Sequence, residues 1–148
     1  MNSTDIIKRI QAHLGDRVLE TLHRSDRRIY IDIEASTLEA ASRLMIDEFG
    51  ARFQIATGVD TRQGIEVMYH WALDEKDCLV TIRILLDHTS PTLDSIALIC
   101  PAAEWIEREI WELLGVDFVG HPDLRHLLLD ADWPEGKYPM RRDYGVTT

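Results

Sequence analysis

Twenty-six carboxylates, six histidines and two cysteines are the side chains of this sequence that could do acid–base, metal or thiol chemistry. Glu109 and Glu112 lie three residues apart in a helical pattern, the spacing a general acid–base pair would use. The same spacing is common on solvated helix faces, and no pocket signal accompanies it. His121 and His126 stand five apart, off a shared helical face, and no H-E-x-x-H occurs, so metal ligation is not predicted. Cys78 and Cys100 sit in apolar surroundings far apart and read as reduced, buried thiols. Two cysteines are too few for a four-thiolate iron–sulfur cluster. No G-x-G-x-x-G is present, and Gly136-Lys137 lacks the other residues of a phosphate loop. There is no G-x-S-x-G elbow either. No catalytic, metal-binding or cofactor-binding residue is therefore assigned. The one enzymatic reading left open is a free-standing small α+β enzyme using Glu109, Glu112 or His121.

The bulk properties narrow the field further. A net charge of −10 over 148 residues argues against non-specific nucleic-acid binding and against docking on an anionic lipid surface. The charges inside the apolar pattern of residues 1–16 are unlike a signal peptide. The longest uncharged run, 95–103, is far too short to span a bilayer. Direct membrane insertion is not expected.

The elements that must position any site follow from the apolar periodicity. Ile6, Ile7, Ile10 and Leu14 recur at helical spacing after the capping candidates Asn2 to Asp5, and Gly15 stops the pattern. Two short strands, Val18 to Leu22 and Ile29 to Ile33, flank a turn at His23 to Arg28. Ser36 and Glu39 form a capping box for a second helix that ends at Gly50. Strands at Arg52 to Thr61, Gly64 to Leu73 and Cys78 to Leu86 suit antiparallel hairpins. Pro101 opens a third helix that ends at Leu114, with Gly115 as its C-cap. The predicted fold class is α+β. It is a two-layer α-β-β-α-β-β-β sandwich with a largely antiparallel mixed sheet, a further helix and an extended C-terminal tail. Residues 1–115 form the domain and 116–148 an extended segment expected to strap onto a partner subunit.

The stretch 105–129 is unusual. Ile106, Ile110, Leu113 and Leu114 make one apolar stripe for packing on the sheet. Glu104, Arg108 and Glu112 recur every four residues, so each carboxylate can pair with the arginine. Arg108 and Trp111 are expected to face outward, and Trp and Arg are enriched at interface hot spots. Beyond Gly115, Phe118, the His121-Pro122 turn, Leu124 and Leu127 to Leu129 bring more apolar side chains than a free loop carries. Such a segment lies against something, either a partner or its own domain. Trp133, Tyr138 and the Arg141-Arg142-Asp143 run continue it.

These residues resemble a known family. Glu107-Arg108-Glu109, Glu112, Leu113-Leu114, His121 after a six-residue gap, Arg125 and Leu127-Leu128 look like the signature of the 30-kDa subunit family. That family belongs to respiratory complex I (NADH:quinone oxidoreductase) and to related energy-converting membrane-bound nickel-iron hydrogenases. Pro101 to Trp105 resembles the lead-in to that signature, and Glu135-Gly136 with Tyr138 to Tyr144 resembles the family's E-G-x-P-L-R-K-D-[FY] ending. Leu114, Met140 and Arg142 depart mildly from the residues commonest there. The resemblance implies a cofactor-free assembly subunit in the hydrophilic arm of a membrane-bound oxidoreductase. Its partners would be the large catalytic subunit and iron–sulfur subunits. Those partners would carry the iron–sulfur clusters, and either a nickel-iron centre or FMN with NADH. It also implies a peripheral position on the cytoplasmic face of the cell membrane, held there by integral subunits. The expected motif and interface residues are Trp105, Glu107, Arg108, Glu109, Trp111, Glu112, His121, Pro122, Asp123, Arg125, Trp133, Arg141, Arg142 and Asp143. The short length and the L-L-G variant lean toward a hydrogenase-type complex.

Overall fold

A computed structural model describes residues 1–146. Helix α1 spans Ser3–Leu14. The Asn2 side chain accepts the Asp5 N–H at 2.9 Å and the Asp5 carboxylate accepts the Asn2 N–H at 3.2 Å, a reciprocal cap. Ile6, Ile10 and Leu14 are buried. Strands β1 (Val18–Ser25) and β2 (Arg28–Ile33) follow. Their turn is tighter than the expected one, because Ser25 already pairs with Arg28 and only two residues reverse the chain.

The second helix differs from expectation. A 3-10 turn at Ala35–Thr37 leads into α2, Leu38–Arg43, which continues as a π-helical turn over Leu44–Glu48. No side chain caps its start. The expected Ser36–Glu39 box is absent because Ser36 lies within the 3-10 turn and not at the N-cap; the Glu39 carboxylate pairs with Arg43, one turn on, at 3.0 Å.

Strands β3 (Arg52–Asp60), β4 (Ile65–Leu73) and β5 (Cys78–Leu86) complete a five-stranded sheet of order β1-β2-β5-β4-β3. Only the central β2–β5 pair is parallel; the other three are antiparallel. Period-two alternation turns Ile29, Ile31, Ile65, Val67, Tyr69, Trp71, Val80 and Ile82 to one face, where each is wholly buried in the common core with the helices. The other face is solvated, as antiparallel pairing permits. There Arg83 holds Asp32 in two bonds of 2.6 and 2.9 Å and lies over the Tyr30 ring, while His70 bridges Thr57 and Thr81.

A short parallel pair, β6 (Thr92–Asp94) with β7 (Asp117–Val119), was not expected from the sequence. Three residues are too few for alternation to register, yet Leu93 and Phe118 are both buried through it. Helix α3 spans Glu104–Leu114, led in by a 3-10 turn at Pro101–Ala103 and closed by Gly115 at φ 76°. It lies close against β3: a Cβ on Gly58 would sit 2.5 Å from Leu114 Cδ1 and 3.2 Å from Ile110 Cγ2. Cys78 and Cys100 are free and buried, and burial pushes both thiols up.

Candidate functional site

Helix α3 sets the geometry of the motif region. Three of its charged residues are buried: Glu107 at 0%, Arg108 at 5% and Glu112 at 2% exposure. The expected outward arginine is therefore corrected. Buried polar groups need partners, and each of these three has found them within the chain.

Glu107 points into the core. Its carboxylate accepts the Tyr69 hydroxyl at 2.7 Å, the Ile96 N–H at 3.1 Å and the Ser95 hydroxyl. Burial pushes its pKa up against these donors, and burial raises Tyr69 as well. Arg108 and Glu112 do not form the ladder with Glu104 that their spacing suggests. They divide a stretch of backbone between them. The Arg108 guanidinium donates to the carbonyls of Arg125 at 2.9 Å and His126 at 2.7 Å. The Glu112 carboxylate accepts the N–H groups of Leu127, Leu128 and Leu129, the shortest at 2.6 Å, and contacts His126 Nδ1 at 3.1 Å. One helix thus grips both the donors and the acceptors of a segment that has no ladder of its own. Half-buried Trp111 packs its ring 5.2 Å from that of His126.

His121 begins the same segment. Its Nδ1 accepts the Asp123 N–H, so its Nε2–H donates to the Glu104 carbonyl, at 2.9 Å. Further along, the Met140 N–H donates to the Leu113 carbonyl at 3.0 Å. The Arg141 guanidinium donates to the carbonyls of Leu114 and His88. A cation at a helix C-terminus also complements the helix dipole. The Arg142 N–H donates to Asp60, which also pairs with His88 Nε2 at 2.7 Å. Tyr138 lies against Gly115, with Arg141 above its ring at 5.5 Å. Between these two fastenings, Trp133 donates to the Lys137 carbonyl and stacks on Tyr144, lining a cleft of about 680 Å³.

The remaining motif residues are more open. Trp105 is 67% exposed, and Pro122, Arg125, Arg142 and Asp143 have exposed side chains. Glu109, Asp123 and Trp133 are half-buried. Arg125 pairs with Asp123 at 2.9 Å in a largely exposed contact that adds little stability. Glu109, Glu112 and His121 do not converge as a catalytic set: both Glu112 oxygens accept backbone N–H groups and both His121 nitrogens are engaged. Sequence patterns do not single out Asp60, His88, Tyr69 or Ser95. No local pattern could have found Asp60, which meets Arg142 across 82 residues of chain. No helix among the described residues is long and apolar enough to cross a membrane.

The electrostatics separate the fastenings from the core. Burial raises the Glu112 carboxyl, but the Leu128 and Leu129 N–H groups, His126 and the Leu127 N–H outweigh it and the net shift is downward. Asp60 behaves alike: burial is overcome by the Arg142 N–H, His88 and Arg141. A lowered carboxyl stabilises the fold above its unfolded value, and that contribution is lost as pH falls through the folded value. The raised Glu107 has the opposite sign and favours the fold more as it protonates. Acid should therefore release segments 125–129 and 140–142 before it disturbs the sheet. Amide exchange followed below about pH 4 checks this, and simultaneous loss of β4 protection would contradict it.

This architecture is a small α+β domain whose third helix carries a C-terminal strap on buried polar groups. A family profile described as "Respiratory-chain NADH dehydrogenase, 30 Kd subunit" matches residues 31–148. The chain belongs to this 30-kDa subunit family of complex I-like membrane-bound oxidoreductases and hydrogenases. It is 44% identical over 78 residues to the C/D subunit of an NADH-quinone oxidoreductase of Methylococcus capsulatus, covering 53% of this chain and 13% of that protein. It is 30% identical over 130 residues to formate hydrogenlyase subunit 5 of Escherichia coli, covering 85% of this chain and 23% of that one. The chain thus spans well under half the length of these relatives. Among solved structures, a chain of the membrane-bound sulfane sulfur reductase, an archaeal respiratory membrane complex, superposes with a TM-score of 0.79 at 26% identity. That match covers 95% of this chain and 84% of the other. A trypsin-resistant fragment of Nqo5 shares the fold at a TM-score of 0.63 and 16% identity, over 82% of this chain and 98% of the fragment.

Proposed function

We propose that this chain is a cofactor-free assembly subunit in the hydrophilic arm of a complex I-like oxidoreductase, of NADH:quinone or energy-converting hydrogenase type. In this reading it docks on the large catalytic subunit and steadies neighbouring iron–sulfur subunits. Electrons pass through the partners' clusters, with a nickel-iron centre or FMN supplying the chemistry there. Residues 1–115 act as the domain, and the segment beginning at 116 is the strap presented to the partner. Integral subunits hold the assembly at the cytoplasmic face of the membrane.

The observation that carries the reading is the division of labour in the motif. Glu107, Arg108 and Glu112 are spent inside the chain, whereas Trp105, Arg125, Arg142 and Leu128 are left outward. An exposed tryptophan and two arginines are the residue types enriched at interface hot spots. His121, Asp123 and Arg141 position the strap, Pro122, Trp133 and Asp143 belong to it, and Glu109 and Trp111 lie on the helix that carries it. The chain tagged and expressed from its native operon should retain a large catalytic subunit on purification. Replacing Trp105 and Arg125 together by Ala should reduce that yield about 10-fold or more, equivalent to about 1.4 kcal/mol or more. A monomer purified without partners, or an isolated chain that turns over a substrate, would reject the proposal. A nucleotide- and FMN-binding subunit in the purified complex would assign it to the NADH type.

A further inference from the structure

Strap segments in multi-subunit assemblies can be ordered by the partner or can be built before it arrives. The second case requires that the segment's backbone be satisfied within its own chain. Residues 125–129 have neither helix nor strand, so side chains must supply the partners.

Here they do, from both sides. Glu112 is 2% exposed and its two oxygens accept three consecutive N–H groups, from Leu127, Leu128 and Leu129. Arg108, one turn earlier and 5% exposed, donates to the two preceding carbonyls. A buried carboxylate facing three N–H groups is a charge-assisted arrangement, roughly twice as strong per bond as neutral contacts. Removing the strap would leave both an anion and a guanidinium on the uncovered flank of α3. His121 fixes the start of the segment to the Glu104 carbonyl on the same helix. Turning the backbone inward leaves the Leu128 side chain 63% exposed.

We infer that residues 121–129 are a preformed ledge, locked onto α3 by Arg108 and Glu112 in the isolated chain, so that a partner meets an ordered surface and does not fold a tail. Its use as a docking surface rests on the function proposed above; its order in the free chain does not. Preorganisation of this kind removes ordering entropy from the binding step.

Amide hydrogen exchange of the full chain, free in solution, tests the inference. The Leu127, Leu128 and Leu129 amides of the wild type should exchange about 10-fold or more slower than an unstructured segment. Glu112→Ala should return them to unstructured rates while the β4 and β5 amides keep their protection. Arg108→Ala serves as the second variant: it should accelerate the same three amides even though it removes none of their acceptors. Unstructured rates in the free wild type would overturn the inference, as would protection that survives both substitutions. Failure of the chain to co-purify with a large subunit would instead overturn the proposed function, leaving the ledge intact.

Discussion

Glu107→Ala should destabilise the domain by about 2–5 kcal/mol, lowering its Tm by roughly 10 °C. The carboxylate is wholly buried and serves as acceptor for the Tyr69 hydroxyl, the Ile96 N–H and the Ser95 hydroxyl. Alanine strands the Tyr69 and Ile96 donors, each costing about 1–3 kcal/mol without a partner, and opens a void between α3 and β4. Glu107→Gln should behave very differently. Its carbonyl oxygen can accept Tyr69 and Ile96, its amide can donate to Ser95 Oγ, and the expense of burying an anion disappears. Burial raises the Glu107 pKa, so the wild-type fold favours the protonated acid. That contribution is present below the unfolded value and is lost as pH rises through the folded one. Glu107→Gln should therefore gain stability relative to wild type as pH rises above about 4. Thermal unfolding of the three proteins across that range decides the matter. A glutamine as damaging as the alanine, with a deficit against wild type that grows as pH rises, would mean that the carboxylate's charge is what the core requires.

The same residue shows how far the sequence could be read. The sheet, α1 and α3 were legible because burial on one face imposes period two on strands and a stripe on helices. Ile29, Ile31 and Ile33 declare β2, and Gly115 closes α3 where expected. The family signature was also legible, from its length and residue types. The direction of its charges was not. Helical spacing places Glu104, Arg108 and Glu112 in one row, and local rules then pair them with each other. They pair elsewhere because a backbone segment without its own ladder offers Glu112 three donors and Arg108 two acceptors, all 15 or more residues away. Tertiary satisfaction of polar groups outranks a marginal i,i+4 contact. Asp60 was invisible for the same reason; the reach of β1 to Ser25 is instead dictated by the hairpin register and concealed by the polar residues His23 and Arg24.

Gly115→Ala should disturb both the end of α3 and the far fastening of the strap. Gly115 holds φ at 76°, and forcing an L side chain into that region costs about 1–2 kcal/mol. The added Cβ would also lie 2.6 Å from Tyr138 Cε2, so the ring must leave its place. Tyr138 supports Arg141, which reaches the Leu114 carbonyl, and neighbouring Met140 bonds Leu113. The total should reach about 2–4 kcal/mol, the second part being an overpacking effect. Gly120→Ala is the matched control, because Gly120 has φ 79° but nothing within 4 Å of its Cβ position. The difference in stability between the two variants isolates the Tyr138 contact, and it should shrink when both are remade in a Tyr138→Ala background. Amides at 140–142 should lose protection in Gly115→Ala while Leu127 to Leu129 keep theirs, since Glu112 and Arg108 hold that stretch independently. Equal costs at the two glycines would mean that the strap rests on α3 without being wedged there. Loss of protection along the whole segment would mean that the two fastenings are one cooperative unit.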